Sequence, residues 1–436
     1  MRKSRLLAVG AIGLAAALAL SACSSAGGGT TSNSIGTPNG KGKTLTVWSM
    51  TGDLSAKTLA AINKKFTAET HAKVNVQTQQ WSGIGTKITT ALSTSTPPDV
   101  VDLGNTDVAS FASSGGLLNL TANQKELEAG QTWLSGLEDP ALVGGKLFAV
   151  PSFAGDRVVL YNKTLWAKDG ITSAPTSYSE LTADLDTIKS KNTAADFSAM
   201  YLPGQYWYAG MSWVWDAGGA IAKKSGSNWN GDFSSAAAQQ GLSDFKTFQN
   251  TYSSKASQTL NTDTPSQDTI LADGQASAII ASSWEIGTVE ATKKLTADDL
   301  GTFPLPGESG KNAPVFLGGS DWGIAAKSKN AALAKVWVKI AASPEIQNDY
   351  VFGTDGWIPN SVQASAAAAS SAPALNAPFF TAAKISNPTP AAAGWLTIEG
   401  DNSITQFFQN VASGSSSVSD AATAFDTHLA TALNAN

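Results

Sequence analysis

The sequence has few of the side chains that metal chemistry and nucleophilic catalysis use most. Among 436 residues there are one cysteine and two histidines, so neither an internal disulfide nor a multi-cysteine or histidine-rich metal site is expected. Arginine occurs only at positions 2, 5 and 157, and no long basic run is present. A nucleic-acid partner is therefore not expected, because it needs a basic face. We expect neither a metal nor a cofactor.

Charge and long apolar runs are also limited. Charged residues make up 14% and apolar residues 42% of the chain, and the net charge is −5, which excludes disordered and coiled-coil classes. No apolar stretch after the N-terminal region is long enough to span a membrane. Tryptophan, in contrast, is abundant, with 13 residues against 7 tyrosines. Indole rings suit stacking on flat ligand faces, so their positions carry information about function.

The N-terminus has the pattern of a bacterial lipoprotein signal peptide. Three basic residues within the first five precede an uncharged apolar segment, Leu6 to Leu20, that is too short to cross a bilayer. The segment ends in Leu20-Ser21-Ala22-Cys23, which matches a lipobox. We predict a signal peptide over 1–22, and over 23–43 a lipidated Cys23 with a flexible tether on the extracellular face of the cytoplasmic membrane. The alternative is an ordinary secreted protein with a stray cysteine.

Strand and helix patterns alternate from Thr44 onward. Period-two and helical spacings predict strands and helices in the order β-α-β-α-β over residues 44–103, which implies right-handed crossovers and a parallel sheet. The second region continues this style with strands at 158–161, 278–281 and 322–326. Its helices are expected after a Ser177-x-x-Glu180 capping box, around 242–248 and 333–340, and in the Ala/Ser-rich segment 364–374. The fold class is therefore α/β.

Polar and aromatic residues follow the first three predicted strands. In open parallel sheets, ligands bind beyond the carboxyl ends of the strands. The three loops there contain Trp48 and Asp53, then Trp81, then Asn105-Thr106-Asp107. Aromatic rings together with carboxylates and amides suit a sugar, which has apolar ring faces and many hydroxyls. The alternative for Trp48 and Trp81 is that they cap the sheet core.

Several short segments occur along the chain in a specific order and spacing. They are Leu45-Thr46-Val47-Trp48, Pro98-Asp99-Val100-Val101, Ser114-Gly115-Gly116-Leu117-Leu118, Gly145-Lys146-Leu147-Phe148-Ala149-Val150-Pro151, Leu160-Tyr161-Asn162-Lys163, Gly274-Gln275-Ala276, Ser283-Trp284 and Trp357-Ile358-Pro359-Asn360. In this arrangement the chain after Lys43 resembles the substrate-binding lipoproteins of carbohydrate ABC importers, the maltose-binding-protein-like cluster.

The resemblance implies a two-lobe, periplasmic-binding-protein-like fold with an interlobe cleft and a hinge. The N-terminal lobe is expected over 44–153 plus about 312–363, and the C-terminal lobe over about 154–311 plus 364–436. It also implies a monomer that captures a neutral mono- or oligosaccharide, with an oligosaccharide favoured, by lobe closure. The protein would then deliver the sugar to membrane permease subunits without breaking it.

The resemblance also implies ligand contacts beyond the three loops. It adds an acidic contact in the crossover, and stacking rings in the second lobe and the last third of the chain. This sequence departs from the maltose binder at Glu399, where that protein has a basic residue, and in the loop from Trp48 to Asp53. Two tryptophans and one aspartate near these segments complete the candidate set. These candidates are Asp156, Tyr208, Trp213, Trp284, Asp321, Trp322, Trp395 and Glu399.

Arg157 would be the only arginine of the mature protein, beside Asp156 in the predicted crossover. A guanidinium provides a planar five-donor fork that lysine cannot reproduce. We expect Arg157 to bridge a cleft carboxylate or to contact ligand hydroxyls. The alternative is a structural salt bridge at the hinge.

Other function classes stay open at this point. A secreted glycoside hydrolase would also have a tryptophan-lined cleft and a carboxylate pair, such as Asp107 with Asp156 or Glu285 with Glu399. A surface adhesin, or a binder of a phosphodiester or a metal chelate, is a further alternative. A nucleotide hydrolase is disfavoured, because Gly42-Lys43-Thr44 precedes rather than follows a strand.

Overall fold

The computed structural model describes residues 34–435. The predicted signal peptide, the lipidation site Cys23 and the first part of the tether lie outside the described residues. The strands are β1 (Thr44–Met50), β2 (Lys73–Gln79), β3 (Val100–Gly104), β4 (Leu142–Val143), β5 (Lys146–Leu147), β6 (Ala149–Gly155), β7 (Val158–Asn162), β8 (Ala222–Ser225), β9 (Asn228–Gly231), β10 (Ala278–Ala281), β11 (Leu300–Phe303), β12 (Val315–Phe316), β13 (Gly318–Ile324), β14 (Ile358–Pro359) and β15 (Ser386–Asn387).

Helices lie between these strands and dominate the last quarter of the chain. They are α1 (Ala56–Thr70), α2 (Ile84–Ser93), α3 (Val108–Ser113), α4 (Gln124–Glu128), α5 (Ser135–Ala141), α6 (Lys163–Lys168), α7 (Tyr178–Lys191), α8 (Trp207–Asp216), α9 (Ala236–Tyr252), α10 (Gln267–Ala272), α11 (Ser283–Ala291), α12 (Ala331–Ala341), α13 (Pro344–Ile346), α14 (Val362–Ser371), α15 (Ala377–Ala383), α16 (Trp395–Gly400), α17 (Ser403–Ser413) and α18 (Val418–Leu433). Short 3-10 turns occur at Asn105–Asp107, Thr121–Asn123, Lys255–Thr259 and Ala297–Asp299, and a π-helical turn at Gln347–Phe352.

Local capping signals fix several helix ends as the sequence indicates. The Ser177 hydroxyl accepts from the Glu180 amide and starts α7, and Ser55 caps α1 in the same way. Helix α1 ends one residue before His71, which adopts the left-handed conformation of a helix C-cap with φ 60°.

A six-stranded sheet forms the centre of the first lobe, in the order β14-β6-β13-β3-β1-β2. Strand β1 pairs in parallel with β2 and β3, as the β-α-β pattern predicts. The sheet as a whole is mixed, because β13, from outside that region, runs antiparallel to both β3 and β6. Strand β13 enters the sheet from a distant part of the chain, so no local crossover fixes its direction.

A three-stranded sheet, β10-β7-β11, forms the centre of the second lobe and is entirely antiparallel. Alternate residues of β7 face opposite sides. Val159 and Tyr161 join a large cluster with α8, α9 and α17, whereas Val158 and Leu160 join a smaller cluster with α10 and α15. This sheet is therefore covered on both faces.

Each lobe has its own apolar core. Around the six-stranded sheet, the core includes Trp322 and Trp337, whose rings meet edge to face at 4.8 Å. Around α8 and α9, the second core includes Trp166, Trp213 and Trp395. The chain passes between the two sheets from β6 to β7, from β11 to β13, and again after β14. The chain therefore crosses between the lobes more than once. The exact lobe boundaries stay a prediction.

Candidate functional site

A cavity of about 900 Å3 lies between the two lobes and is lined by residues of both. This volume is in the usual range of small-molecule sites. The first lobe contributes the loops at the carboxyl ends of β1, β2 and β3, which meet at one edge of the sheet because the three strands are parallel. The second lobe contributes α8, the start of α11 and α16. We call this cavity the cleft.

Most of the residues expected from the sequence line the cleft. They come from both lobes and include rings, carboxyl groups, an amide and the single guanidinium. Those that line it are Asp53, Trp81, Asn105, Thr106, Asp107, Arg157, Tyr208, Trp284 and Glu399.

Three expected stacking tryptophans instead lie in the cores, which corrects their placement. Trp322 is fully buried against Trp337 on the side of β13 that faces α12. Trp213 packs in the second core with its ring 5.0 Å from that of Phe248. Trp395 is fully buried and lies 6.0 Å from Trp207, edge to face. None of the three rings lines the cleft, although Glu399, one turn after Trp395 on α16, does.

Trp48, Asp156 and Asp321 are also absent from the cleft lining. The Trp48 indole donates to the Gln77 side chain at 2.8 Å, across the β1–β2 pair. Asp156 and Asp321 are fully buried, and burial raises the pKa of both carboxyl groups well above its usual range. A direct contact of these residues with a ligand is therefore not supported.

Two exposed tryptophans face the cleft from opposite lobes. Trp81 follows β2 and is 40% exposed, whereas Trp284, in the first turn of α11, is 54% exposed. Only two other large apolar side chains among residues 34–435 are exposed, Val362 and Ile385, and neither lines the cleft. Because exposed indole surface is costly, the common position of both rings indicates a binding surface.

Helix α11 holds Trp284 in place through its capping box. The Glu285 carboxylate accepts from the Ser282 amide at 2.6 Å, and the Gln267 side chain donates to the same carboxylate. Glu285 is thereby committed to the helix start and does not line the cleft. Asp156 also lies outside the cleft. Each carboxylate pair suggested for a hydrolase, Asp107 with Asp156 and Glu285 with Glu399, therefore has only one member in the cleft.

Arg157 lies between aromatic rings rather than in an ion pair. Its Nε donates to the Tyr206 hydroxyl at 2.8 Å, and its guanidinium carbon lies 4.4 Å from the centre of the Tyr208 ring. No salt bridge in the described part of the chain includes Arg157, so the expected carboxylate bridge is not formed. The Arg157 guanidinium therefore orients the Tyr208 ring. The terminal nitrogens of Arg157 stay available to a ligand.

Asp53 contributes one of the carboxyl groups that line the cleft. The Ser320 hydroxyl donates to its carboxyl group at 2.7 Å, and the Trp357 indole donates to its backbone carbonyl at 2.9 Å. Burial raises the pKa of Asp53 to about 6, and burial together with the Asp53 charge raises that of the neighbouring Asp102. This part of the cleft can therefore present a protonated or an ionised carboxyl group near neutral pH.

The turn after β3 connects the cleft to α16. Asn105 donates to the carbonyls of Gly136 and Leu317, so it stabilises the turn itself. The Thr106 hydroxyl donates to Glu399 Oε2 at 3.1 Å and so joins the loops of the first lobe to a helix of the second. Burial raises the pKa of Asp107 well above its usual range, and the Glu399 charge adds to the shift.

Sequence reasoning missed several cleft residues. The rings of Phe153 and Trp357 stack with their centres 4.6 Å apart and form one wall of the cleft. Phe316 and Ser320 also line it. Helix α2 lines the cleft along one face, with threonines at 86, 89 and 90. That i, i+3, i+4 spacing was a usable signal, because such residues share a helix face.

Residues 34–435 contain no group of three or more histidine, cysteine, aspartate or glutamate side chains arranged to hold a metal ion. None of their helices combines the length and apolar character that a bilayer crossing requires.

Two lobes, a cleft between them and exposed rings facing that cleft define a binding protein for a small solute. The chain belongs to the bacterial extracellular solute-binding proteins, a family that it matches over residues 51–348. The diacetylchitobiose binding protein DasA of Streptomyces coelicolor is 37% identical over 383 residues, which cover 86% of this chain and 86% of DasA. Membership of a family of binding proteins places the chain outside the enzymes.

Solved structures agree on the fold. The GacH receptor of Streptomyces glaucescens superposes with a TM-score of 0.74 at 22% identity, covering 90% of this chain and 98% of GacH. The sugar-binding protein MalE of Xanthomonas citri gives 0.75 at 21% identity, covering 90% and 97%. These likenesses confirm the two-lobe, maltose-binding-protein-like architecture expected from the sequence.

Proposed function

We propose that this protein captures an oligosaccharide outside the cytoplasm and delivers it to the permease of an ABC importer. The observation that carries the proposal is the pair of exposed indoles, Trp81 and Trp284, which face one cleft from opposite lobes. Sugar rings have apolar faces that stack on indoles, and their hydroxyls need polar partners beside them. An amino-sugar disaccharide is the first candidate, because the 37% identical relative is named for diacetylchitobiose.

The cleft offers the polar partners that such a ligand needs. Arg157 has donors available, Asp53 and Asp107 have acceptors, and the threonines of α2 have both. Each ring stack contributes about 1 kcal/mol beyond area burial, and each hydrogen bond about 0.5–3 kcal/mol. After the costs of ordering, these contributions correspond to a Kd in the micromolar range, or about −8 kcal/mol.

A calorimetric panel tests the proposal. Diacetylchitobiose, cellobiose, maltose and their trisaccharides are titrated into the protein, and each pair is also followed by thermal shift and tryptophan fluorescence. We expect micromolar binding of at least one oligosaccharide, with a change in indole emission and no cleavage products. Absence of binding across the panel, or release of shorter sugars from the bound ligand, would contradict the proposal.

We further propose that the mature protein is a monomer attached to the membrane through a lipid on Cys23. The lipobox and the Ser/Gly-rich tether support this, because the chain's only cysteine occupies the position that receives the lipid. Labelling of cells with radioactive palmitate should mark the wild-type protein and not Cys23→Ala. Equal labelling of both, or none of the wild type, would contradict the anchor.

A further inference from the structure

The cleft has more acidic than basic groups. Asp53, Asp107 and Glu399 line it, whereas Arg157 is its only basic lining residue among the described part of the chain. The charge of Arg157 is already shared with Tyr206, by a hydrogen bond, and with the Tyr208 ring. An uncharged sugar does not by itself account for this imbalance.

Two of these carboxyl groups line the cleft from opposite lobes, and the charge of one raises the pKa of the other. Asp107 follows β3 in the first lobe, and Glu399 lies in α16 of the second. Asp107 is 9% exposed, and no donor in the described chain reaches its buried Oδ1. Glu399 accepts from Thr106 through Oε2, whereas its buried Oε1 has only the Trp395 indole beside it and no hydrogen bond of normal geometry.

A buried carboxylate such as that of Asp107, beside the half-buried Glu399, stays ionised only with a compensating charge. The other titratable groups near the pair are the Tyr208 phenol on α8 and the Arg157 guanidinium in the β6–β7 connection. Burial and the Glu399 charge raise the pKa of Asp107, so Arg157 does not neutralise the pair. A proton or a cation is therefore needed between Asp107 and Glu399.

We propose that the preferred ligand is an oligosaccharide with a free amino group, whose ammonium lies between Asp107 and Glu399. The inference rests on the proposed function and replaces the neutral sugar expected from the sequence. An ammonium has three donors and a positive charge, so it can satisfy both unpartnered oxygens and remove their repulsion. A hydroxyl or an acetamide N–H can donate to only one of them and leaves the repulsion in place.

The test compares two forms of one disaccharide. Diacetylchitobiose and its fully deacetylated form are titrated into the protein at pH 6.5 and at two salt concentrations. We expect the deacetylated form to bind at least about tenfold tighter, a difference of about 1.4 kcal/mol. Glu399→Gln should abolish this preference, because a neutral amide cannot balance the charge of the ammonium.

Two further variants make the test specific. Asp107→Asn should act as Glu399→Gln does. Asp298→Asn removes one negative charge from an exposed site that does not line the cleft, and it should keep the preference. Equal binding of both sugars, or tighter binding of the diacetylated form, would overturn the inference and leave sugar capture standing. If neither sugar binds, this inference is overturned. The proposed function is then decided by the calorimetric panel of other oligosaccharides described above.

Discussion

The guanidinium carbon of Arg157 lies 4.4 Å from the centre of the Tyr208 ring, so the one arginine of the described chain is stacked on a ring of the cleft. The same side chain donates to the Tyr206 hydroxyl at 2.8 Å. Arg157 follows β6 at a crossing between the lobes, and Tyr208 belongs to α8 of the second lobe. The contact therefore links the crossing to the ligand surface.

Arg157→Lys should weaken sugar binding and leave the protein folded. Lysine keeps the charge but loses the planar fork and most of the stacking on Tyr208, which together contribute about 1–2 kcal/mol. We expect Kd to rise about five- to thirtyfold in calorimetry, with a fall in Tm of a few degrees. Tyr206→Phe, which removes only the hydrogen bond to Nε, should give a smaller loss. An unchanged Kd and Tm in Arg157→Lys would contradict both roles.

The two exposed indoles should contribute to affinity and not to stability. Trp81→Ala and Trp284→Ala each remove a stacking surface of about 1–2 kcal/mol, so Kd should rise about five- to thirtyfold. Val362→Ala is the matched control, since Val362 is 51% exposed, similar to Trp284, and does not line the cleft. A comparable loss in the control variant, or none in the two tryptophan variants, would show that these rings do not bind the sugar.

Trp322 should behave in the opposite way, because it is buried against Trp337. Trp322→Ala leaves a cavity in the first core and should lower the free energy of unfolding by about 3–5 kcal/mol in urea titrations. The affinity of the folded fraction for sugar should stay within about twofold. If the alanine variant does not accumulate, Trp322→Phe allows the same comparison. A loss of sugar affinity with an unchanged free energy of unfolding would instead indicate that Trp322 contacts the ligand.

The sequence predicted those parts of the fold that depend on local pattern. The β1-α1-β2-α2-β3 order follows from apolar periodicity and short connections, and parallel pairing follows from that order. The loops after β1, β2 and β3 then meet at one edge, which is why Asp53, Trp81 and Asp107 all line the cleft; their contact with a ligand stays a prediction.

Other parts of the fold depend on pairing between segments that are distant in the sequence. Examples are the directions of β7 and β13 and the side of the sheet on which a nearby aromatic ring lies. Trp322 and Trp284 are both tryptophans at or just after a strand, yet one faces α12 and the other the cleft. A shift of one residue in strand register would turn Trp322 to the other face of β13, whereas the position of Trp284 depends on where helix α11 begins. Sequence spacing alone could not separate them.

Stability should fall as the pH rises from about 4 to 6, in part through Asp53. Its pKa is raised to about 6 by burial, so in this range the folded protein holds more protons than the unfolded chain. Raising the pH must then ionise a buried carboxyl group, which disfavours the folded state by up to about 3 kcal/mol.

Asp53→Asn isolates this contribution, because the amide oxygen can still accept from Ser320 but does not titrate. The difference in unfolding free energy between wild type and variant, measured in urea at pH 4, 5, 6 and 7, should change in the variant's favour up to pH 6 and then level off. A difference that is constant with pH would show that Asp53 does not titrate in this range.

Ligand binding should bring the lobes together. Trp81 and Trp284 lie on opposite lobes, so one sugar can contact both rings only when the cleft is narrow, and its affinity for that state shifts the population toward it. Small-angle scattering should then show a smaller radius of gyration with saturating sugar than without it. The double variant Trp81→Ala/Trp284→Ala, at the same sugar concentration, should keep the larger radius because neither lobe retains its stacking ring. An unchanged radius in the saturated wild type would mean that the ligand binds one lobe alone.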